Sequence, residues 1–555
     1  MSTRDATQPV RPPGPRHRAE RHAERQRWWR GVPSLVWAAV ALHVGVMIVF
    51  ALLYPAYLSF DEKEQVGRIL TTQAGDIAPA PGTLLVADGV ASTFNDFFRA
   101  EQPPPLVGHS PTKRVERPTF DSVGGGGRTG QPVTMVNQLS QHPPGFYLLG
   151  AGFLDAIPGS SRLAWDQTVS LLRLLDIALI APLPLLCWGA ARRFCRGRVA
   201  SIAAAFAPLL VPALERLGAS VNNDNLLILA ASVLLYLLAK VLHGDLRIRT
   251  ATGVAVCLAI AFLTKGLALI FPPVVALAYL VGWRRAGGSR RDLPWASVAI
   301  VVGGVVVGGL WWLRNLLLYQ AVQPSGLPPA VVATSYPSLP AGQHGQFGDF
   351  VRDASSAFVR QFWGALGLPL PPQLPDIVVA TVTVVSLLLA VAAFALARGA
   401  RLQLLTMALT APLLIGLVSV HSWHEFYRTG RVVGFQGRYL YEGFVGLAVL
   451  AAVGLDRLAA APALRGLARR AMRWGPLVVV VAALAMEAVA IVEIVNVQWL
   501  GQDHAVWSEP GQAARTILAY SPWLHPITIG VFVLSVLTAI TAVGVAVAPR
   551  RARAT

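Results

Sequence analysis

The sequence predicts an all-α membrane protein with about twelve transmembrane helices. Of its 555 residues, 54% are hydrophobic and only 14% are charged, a composition too apolar for a soluble protein of this size. Apolar runs of about 20 residues recur along the chain, each long enough to cross a hydrocarbon core of ~30 Å. Short basic segments separate pairs of these runs, as cytoplasmic loops do in polytopic proteins.

The formal net charge of +18 raises the question of nucleic acid binding, but the placement of the charges indicates membrane topology instead. By the positive-inside rule, the short basic segments are cytoplasmic. We therefore expect a multi-pass inner (plasma) membrane protein with both termini in the cytoplasm, with membrane lipids and no nucleic acid among its partners. The basic segments are 1–33, 192–198, 240–249, 284–291, 398–401, 457–473 and 550–553.

The apolar runs also predict how the chain is divided. We expect a disordered basic tail at 1–33, a transmembrane module at 34–457, and further helices with a short basic tail at 458–555. Two extracytoplasmic segments are long, 55–167 and 319–374, and long loops commonly carry binding residues. The helices are predicted at 34–54, 168–190, 199–217, 225–243, 251–264, 267–283, 295–318, 375–397, 402–420, 439–456, 476–497 and 524–547.

Asp61 and Glu62 directly follow the first predicted helix, at the lipid boundary of the long first loop. Partial removal from water raises the pKa of a carboxylate towards the range useful for a general base, and a nearby cation lowers it again. The pair is therefore a candidate catalytic site. An ordinary charged helix flank is the alternative.

Other polar residues lie near the outer ends of predicted helices. His142 precedes two prolines and can face the same cavity as the acidic pair. Asn223 and Asp224 open a helix, where they could equally serve as capping residues. Isolated cations at helix ends commonly extend to lipid headgroups. Contact with headgroups does not explain why these cations lie on the same side of the membrane as the acidic pair. These cations are Lys265, Arg314 and Arg438, the last followed by Tyr439.

His421, His424 and Glu425 form the one grouping that suggests a metal site. A closed zinc site needs four ligands, and the sequence offers no identifiable third and fourth ligand for this group. A divalent metal is therefore an open alternative without support from the sequence, and no other cofactor is expected.

The ordered set of motifs resembles the GT-C superfamily of membrane glycosyltransferases, in particular bacterial relatives of the protein mannosyltransferase and lipid A aminoarabinose transferase group. The resemblance covers roughly residues 34–457. The chain departs from the family pattern after the acidic pair, where Lys63, Glu64 and Gln65 stand in place of an expected histidine. The motifs are Asp61-Glu62, His142-Pro143-Pro144, Asn223-Asp224, Lys265, Trp311-x-x-Arg314-Asn315 and Gly437-Arg438-Tyr439.

The resemblance implies a GT-C-like fold with a long first extracytoplasmic loop and a sugar donor linked to polyprenyl phosphate. It implies that Asp61 is the catalytic base, that Glu62 orients the acceptor or holds a neighbouring cation, and that transfer proceeds with inversion. The acceptor would be an envelope glycan, a lipid or a protein on the extracytoplasmic face. The residues implied to neutralise the phosphate are Lys265, Arg314 and Arg438, and the other implied substrate-binding residues are His142, Asn223, Asp224 and Tyr439.

Two other interpretations stay open. A secondary transporter or lipid-sugar flippase would have ionisable residues near the bilayer midplane and broken helices there. Most of the predicted spans lack charge, with Arg173 and Asp176 as the visible exceptions on the second helix. A catalytically silent envelope-assembly protein would keep the architecture without turnover. The altered residues after Asp61 and Glu62 keep that interpretation open.

Overall fold

A computed structural model describes residues 31–98, 106, 111–127, 136–288, 294–366, 373–462, 465–501 and 505–548. Within these residues the chain forms α-helices, short helical turns and two isolated β-bridges. The predicted fold class, an all-α polytopic membrane protein, is confirmed. The predicted basic tail at 1–33 lies almost entirely outside the described residues.

The α-helices of the described residues are numbered in chain order. They are α1 (Ser34–Leu53), α2 (Glu62–Gln73), α3 (Asp88–Phe98), α4 (Gly145–Ala156), α5 (Trp165–Ile180), α6 (Leu183–Ala191), α7 (Arg198–Ala205), α8 (Pro212–Gly218), α9 (Asn223–Val241), α10 (Ile248–Phe262), α11 (Phe271–Arg285), α12 (Trp295–Tyr319), α13 (Pro329–Ser335), α14 (Phe347–Trp363), α15 (Asp376–Leu396), α16 (Arg401–Ala408), α17 (Thr410–Thr429), α18 (Phe444–Ala460), α19 (Arg465–Ile494), α20 (Pro510–Tyr520) and α21 (His525–Val547).

Ten segments of the described chain are long and apolar enough to cross a membrane, and they correspond to ten of the twelve predicted spans. The predicted span 251–264 is the 15-residue helix α10. The predicted span 199–217 is divided into α7 and α8 by a helical turn at Pro208–Leu210. Pro208 and Pro212 lack the amide hydrogen that a continuous helix needs, which explains the break.

Two unusual backbone conformations follow α1. Tyr57 and Asp61 both adopt left-handed conformations, with φ of 69° and 56°. Aspartate tolerates this region better than most residues, whereas a bulky residue such as tyrosine rarely occupies it. The turn ends where α2 begins, so Asp61 is held at the junction of the turn and the helix.

The apolar stretch 143–157 contains the 12-residue helix α4. Gly150 packs against the side chain of Ile69 on α2. At the start of α4, the backbone N–H of Gly145 donates to the carbonyl of Leu263 at 3.0 Å. This contact brings the segment that carries His142 beside the turn that carries Lys265.

The two long loops contact each other. The hydroxyl of Ser140 in the first loop donates to the carbonyl of Gly326 in the second at 3.5 Å. Helix α20 docks onto the first loop through Arg117, whose guanidinium donates to the carbonyl of Ala519 at 2.8 Å. The two long loops and α20 are therefore connected by direct hydrogen bonds.

The close approach at Gly145 predicts a stability effect. A Cβ there would lie 2.5 Å from the carbonyl oxygen of Leu263, so Gly145→Ala is expected to lower the free energy of unfolding by about 1–3 kcal/mol. Gly152→Ala in the same helix is the matched control, because no atom lies within 4 Å of a Cβ at that position. Unfolding of the purified variants in nanodiscs measures both, and equal effects would contradict the prediction.

Candidate functional site

Glu62 is the anchor of the turn after α1. Its side chain is fully buried, and Oε1 accepts hydrogen bonds from Arg173 Nε at 2.8 Å and from the backbone N–H of Val221 at 3.1 Å. Oε2 accepts from Arg173 Nη2 at 2.6 Å and from the backbone N–H of Tyr57 at 2.9 Å. All four bonds are charge-assisted, and such bonds are roughly twice as strong as neutral ones.

Arg173 extends this anchor to the end of α1. Its guanidinium also donates to the carbonyls of Ala51, Tyr54 and Pro55, at 2.7, 2.8 and 3.2 Å. The last carbonyls of a helix have no partner within the helix, so this arginine from α5 closes α1. Arg173, a charged residue inside a predicted span, is therefore bound to the turn that carries Asp61.

The start of α9 lies against the same turn. The Asn222 side chain caps α9 by accepting from the backbone N–H of Asp224 at 2.9 Å, and its Nδ2 donates to the carbonyl of Phe60 at 2.9 Å. The Asn223 Oδ1 accepts from Gln65 Nε2 on α2 at 3.2 Å. Capping thus explains Asn222, while Asn223 and Asp224 are brought beside the acidic turn.

Arg438 lies between two carboxylates from distant parts of the chain. Its Nη2 donates to Asp61 Oδ2 at 2.8 Å, and its Nε lies 3.6 Å from Asp224 Oδ2. Lys265 forms a second ion pair with Asp224. The side chain of Asp224 is 2% exposed and that of Asp61 is 30% exposed, so Asp61 is the carboxylate that a substrate can reach.

Aromatic rings support the two cations. Lys265 Nζ lies 5.1 Å from the ring centroid of Tyr439, and the guanidinium of Arg438 lies 4.9 Å from that of Phe60. Cations at such distances are attracted to the face of the ring. Tyr439 therefore belongs to the cluster as a support for the positive charges.

His142 is buried beside the cluster. Burial lowers the pKa of His142 to about 3, and the positive charge of Lys265 acts in the same direction, against the opposing effect of Asp224 and Asp61. The imidazole is therefore neutral at physiological pH. Its Nδ1 has no hydrogen-bond partner within the described part of the chain.

Arg314 lies apart from these contacts. Its guanidinium lies 4.9 Å from the ring centroid of Trp311 and donates to Asn315 Oδ1 at 3.1 Å. Within the described residues it forms no ion pair with Asp61 or Asp224. The structure thus gathers the predicted residues Asp61, Asn223, Asp224, Lys265, Arg438, Tyr439 and His142 around one site, with Glu62 beneath it. The contacts of Arg314 are instead with Trp311, Asn315 and Tyr319.

Two charged residues beside the site were missed at the level of sequence. Glu442 is 1% exposed, neither of its carboxylate oxygens has a hydrogen-bond partner in the described chain, and it is within electrostatic range of Asp224 and Lys265. Arg216 is also buried, 4.3 Å from the ring centroid of Phe60. Both Arg438 and Glu442 lie in the 3₁₀-helical segment Gly437–Gly443, where side chains three residues apart share a face, so their spacing of four gave no signal.

The described residues contain no group of three histidine, cysteine or acidic side chains that could hold a metal ion. Glu425 pairs with Arg428 at 2.7 Å. Asp61 and Asp224 are paired with Arg438 and Lys265.

Residues 142–312 match the model of a protein family described as dolichyl-phosphate-mannose-protein mannosyltransferase. The matched part begins at His142 and contains Asn223, Asp224 and Lys265. The resemblance to the GT-C superfamily is confirmed. A search of curated proteins found no match.

Solved structures that align with this GT-C-like chain include ArnT from Cupriavidus metallidurans bound to undecaprenyl phosphate, at 14% identity and a TM-score of 0.37, over 92% of this chain and 77% of that chain. The Archaeoglobus fulgidus oligosaccharyltransferase in the apo form aligns at 12% identity and a TM-score of 0.41, over 84% of this chain and 56% of that chain. The archaeal oligosaccharyltransferase AglB from the same organism, in complex with an inhibitory peptide and a dolichol-phosphate, aligns at 11% identity and a TM-score of 0.40, over 83% and 56%.

The buried pair of Glu62 and Arg173 predicts a large effect of a small change. Glu62→Gln leaves the Arg173 charge buried without its counter-ion, so we expect a loss of about 3–5 kcal/mol in the free energy of unfolding. Asp353→Asn is the control, because Asp353 forms a half-exposed ion pair with Arg352, and such pairs contribute about 0–1 kcal/mol. Denaturant unfolding in detergent measures both, and a small effect of Glu62→Gln would show that the pair is not an anchor.

Proposed function

We propose that this protein is a membrane glycosyltransferase that transfers a sugar from a polyprenyl-phosphate donor to a hydroxyl group of an envelope glycan, lipid or protein. The observation that carries the proposal is the placement of a partly exposed carboxylate, Asp61, beside two buried cations at the ends of membrane helices. The family matched by residues 142–312 is named for a dolichyl-phosphate sugar and a protein acceptor, which supports the same class of reaction.

In the proposed reaction Asp61 is the general base. The acceptor oxygen attacks the anomeric carbon, its proton passes to an Asp61 oxygen, and the bond between the anomeric carbon and the phosphate oxygen breaks. The electron pair of that bond leaves with the polyprenyl phosphate, and in-line attack inverts the anomeric configuration. Glu62 would position Asp61 through the turn, since its own oxygens are engaged with Arg173 and backbone amides.

Lys265 and Arg438 would stabilise the negative charge that develops on the leaving phosphate. Nη1 of Arg438 has no hydrogen-bond partner in the described chain, so it is available while Nη2 stays on Asp61 and Nε faces Asp224. In a site with little water, fixed cations stabilise a transition state more strongly than they would in solution. Arg314 would act from the edge, on the headgroup or on the acceptor.

His142, Asn223, Asp224 and Tyr439 are proposed to complete the substrate site. A neutral His142 can exchange a hydrogen bond with a sugar hydroxyl without adding charge. Asp224 holds Lys265 in place, and Tyr439 supports its ammonium group. Asn223 links α9 to α2 through Gln65 and so fixes the distance between the two halves of the site.

The proposed orientation follows from the distribution of basic residues. With the basic segments in the cytoplasm of an inner-membrane protein and both termini on that side, the turn after α1 lies on the extracytoplasmic face. Residues 34–457 would then form the catalytic module, and 458–555 would supply additional helices. The donor lipid would lie between helices with its phosphate towards Lys265.

A lipid-sugar flippase or secondary transporter is the second candidate, because one specific observation favours it. His43, Glu215 and Glu487 are buried within the helical bundle, and the segment that carries Glu215 is interrupted by prolines. Ionisable groups and broken helices inside the bilayer are typical of transporters. Loss of sugar transfer when only Asp61 is substituted would distinguish the transferase from this alternative.

The role of Asp61 as the base can be tested in cells. In a deletion strain, mass spectrometry of envelope and lipid-carrier glycans is expected to show loss of one glycan and accumulation of its polyprenyl-phosphate donor. Wild type and the control Glu64→Gln should restore the glycan, whereas Asp61→Asn at equal membrane abundance should not, because its amide cannot accept the proton. Full complementation by Asp61→Asn would remove the proposed base.

The role of Lys265 in binding the donor phosphate can be tested with the purified protein. Lys265→Gln is expected to weaken binding of undecaprenyl phosphate to the purified protein by about tenfold to a hundredfold, because a charge-assisted hydrogen bond contributes about 1.5–3 kcal/mol. Lys265→Arg should retain most of the affinity. Lys113→Gln, which removes an exposed cation of the first loop, is the control. Equal affinities for wild type and Lys265→Gln would exclude Lys265 from the phosphate site.

A further inference from the structure

A second group of ionisable residues lies inside the helical bundle, away from Asp61. His43 is at the centre of α1, and its Nδ1 lies 2.6 Å from Glu215 Oε1 on α8. Its Nε2 lies 3.2 Å from the carbonyl oxygen of Ile180 on α5. Both side chains are completely buried.

Glu487 joins this pair from a third helix. It lies at the centre of the apolar span Trp474–Leu500 and is 2% exposed. Neither of its carboxylate oxygens, nor Oε2 of Glu215, has a hydrogen-bond partner in the described part of the chain. Helices α1, α8 and α19 pack against one another, and Glu215 is within electrostatic range of Glu487.

The hydrogen bonds restrict where protons reside. The carbonyl of Ile180 only accepts, so His43 Nε2 carries a hydrogen. The bond between Nδ1 and Glu215 then contains one proton, on either partner, so the pair is neutral as a whole. An ionised Glu487 would leave one uncompensated negative charge near the bilayer midplane, where an ionised acidic side chain costs about 2.5–3.5 kcal/mol or more.

Among the side chains that the structure describes on α1, α5, α8 and α19, the arginines are Arg173 and Arg216, and neither supplies the missing positive charge. Arg173 is paired with Glu62, and Arg216 lies over the ring of Phe60. Neutrality of the group therefore requires a bound cation at Glu487, and the smallest is a proton.

We propose that His43, Glu215 and Glu487 form an intramembrane proton-binding site, with Glu487 as the carboxyl that holds the exchangeable proton. The three residues come from α1, α8 and α19, so the proton connects three helices that meet at the middle of the bundle. The site shares no residue with the cluster around Asp61. It therefore stands whether the protein is a transferase or a transporter.

Infrared difference spectroscopy of the purified protein in nanodiscs tests the site. At about pH 7, exposed glutamates with a pKa near 4.3 are ionised, whereas a protonated Glu487 gives a carboxylic-acid C=O band. Glu442, and Glu215 when it holds the proton of the His43 pair, contribute to the same band, so the readout is the difference between wild-type and variant spectra. We expect Glu487→Gln to lose one carboxylic-acid component of the wild-type band and the control Glu493→Gln on the same helix to retain it. In Glu487→Asp this component should remain but shift.

Three outcomes would overturn the proposal. They are the absence of the band in wild type, identical bands in wild type and Glu487→Gln, and loss of the Glu487 component in sodium chloride but not in choline chloride. The last would assign the site to a metal cation instead of a proton. A shift of the wild-type band in deuterated buffer, which needs no variant, would establish that the proton exchanges.

Discussion

The candidate site depends on one interaction, the buried ion pair between Glu62 and Arg173. Glu62 accepts two hydrogen bonds from the guanidinium and two from backbone amides, while Arg173 also closes the end of α1. The pair joins α1, the turn after it, α5 and the segment before α9. A buried ion pair with every polar atom engaged holds a unique geometry, because any other arrangement leaves a charge unpaired in an apolar surrounding. The left-handed conformation of Asp61 is maintained within this frame.

The rest of the site follows from charge balance. Asp224 is buried and needs counter-ions, and Lys265 and Arg438 supply them from segments 41 and 214 residues further along the chain. Arg438 then reaches Asp61 as well. The cluster is thus assembled by electrostatics at the point where helix ends, loops and lipid meet. Burial in a medium of low dielectric constant strengthens each of these contacts.

The bundle contains polar groups at two depths. Ion pairs with several hydrogen bonds lie near the helix ends, whereas His43, Glu215 and Glu487 lie within the bundle with fewer partners. Helix α1 belongs to both, since His43 is at its centre and the Asp61 turn follows its last residue. Removal from water makes an unpaired charge costly in both places. Near the helix ends the charges are paired with one another, whereas we propose that a bound proton neutralises Glu487.

The sequence by itself determined the fold class, most of the spans and the order of the motifs, because the length of an apolar run and the positions of basic residues depend only on local composition and on the thickness of the bilayer. Boundaries were least accurate where proline interrupts a run, as at Pro208. What only the tertiary structure decided is which side chains meet. Helix rotation and packing buried Glu62 against Arg173, placed Arg314 apart from Asp61, and brought His43 to Glu215, 172 residues away. Such contacts join helices whose sequences carry no record of their relative orientation, so no local pattern could reveal them.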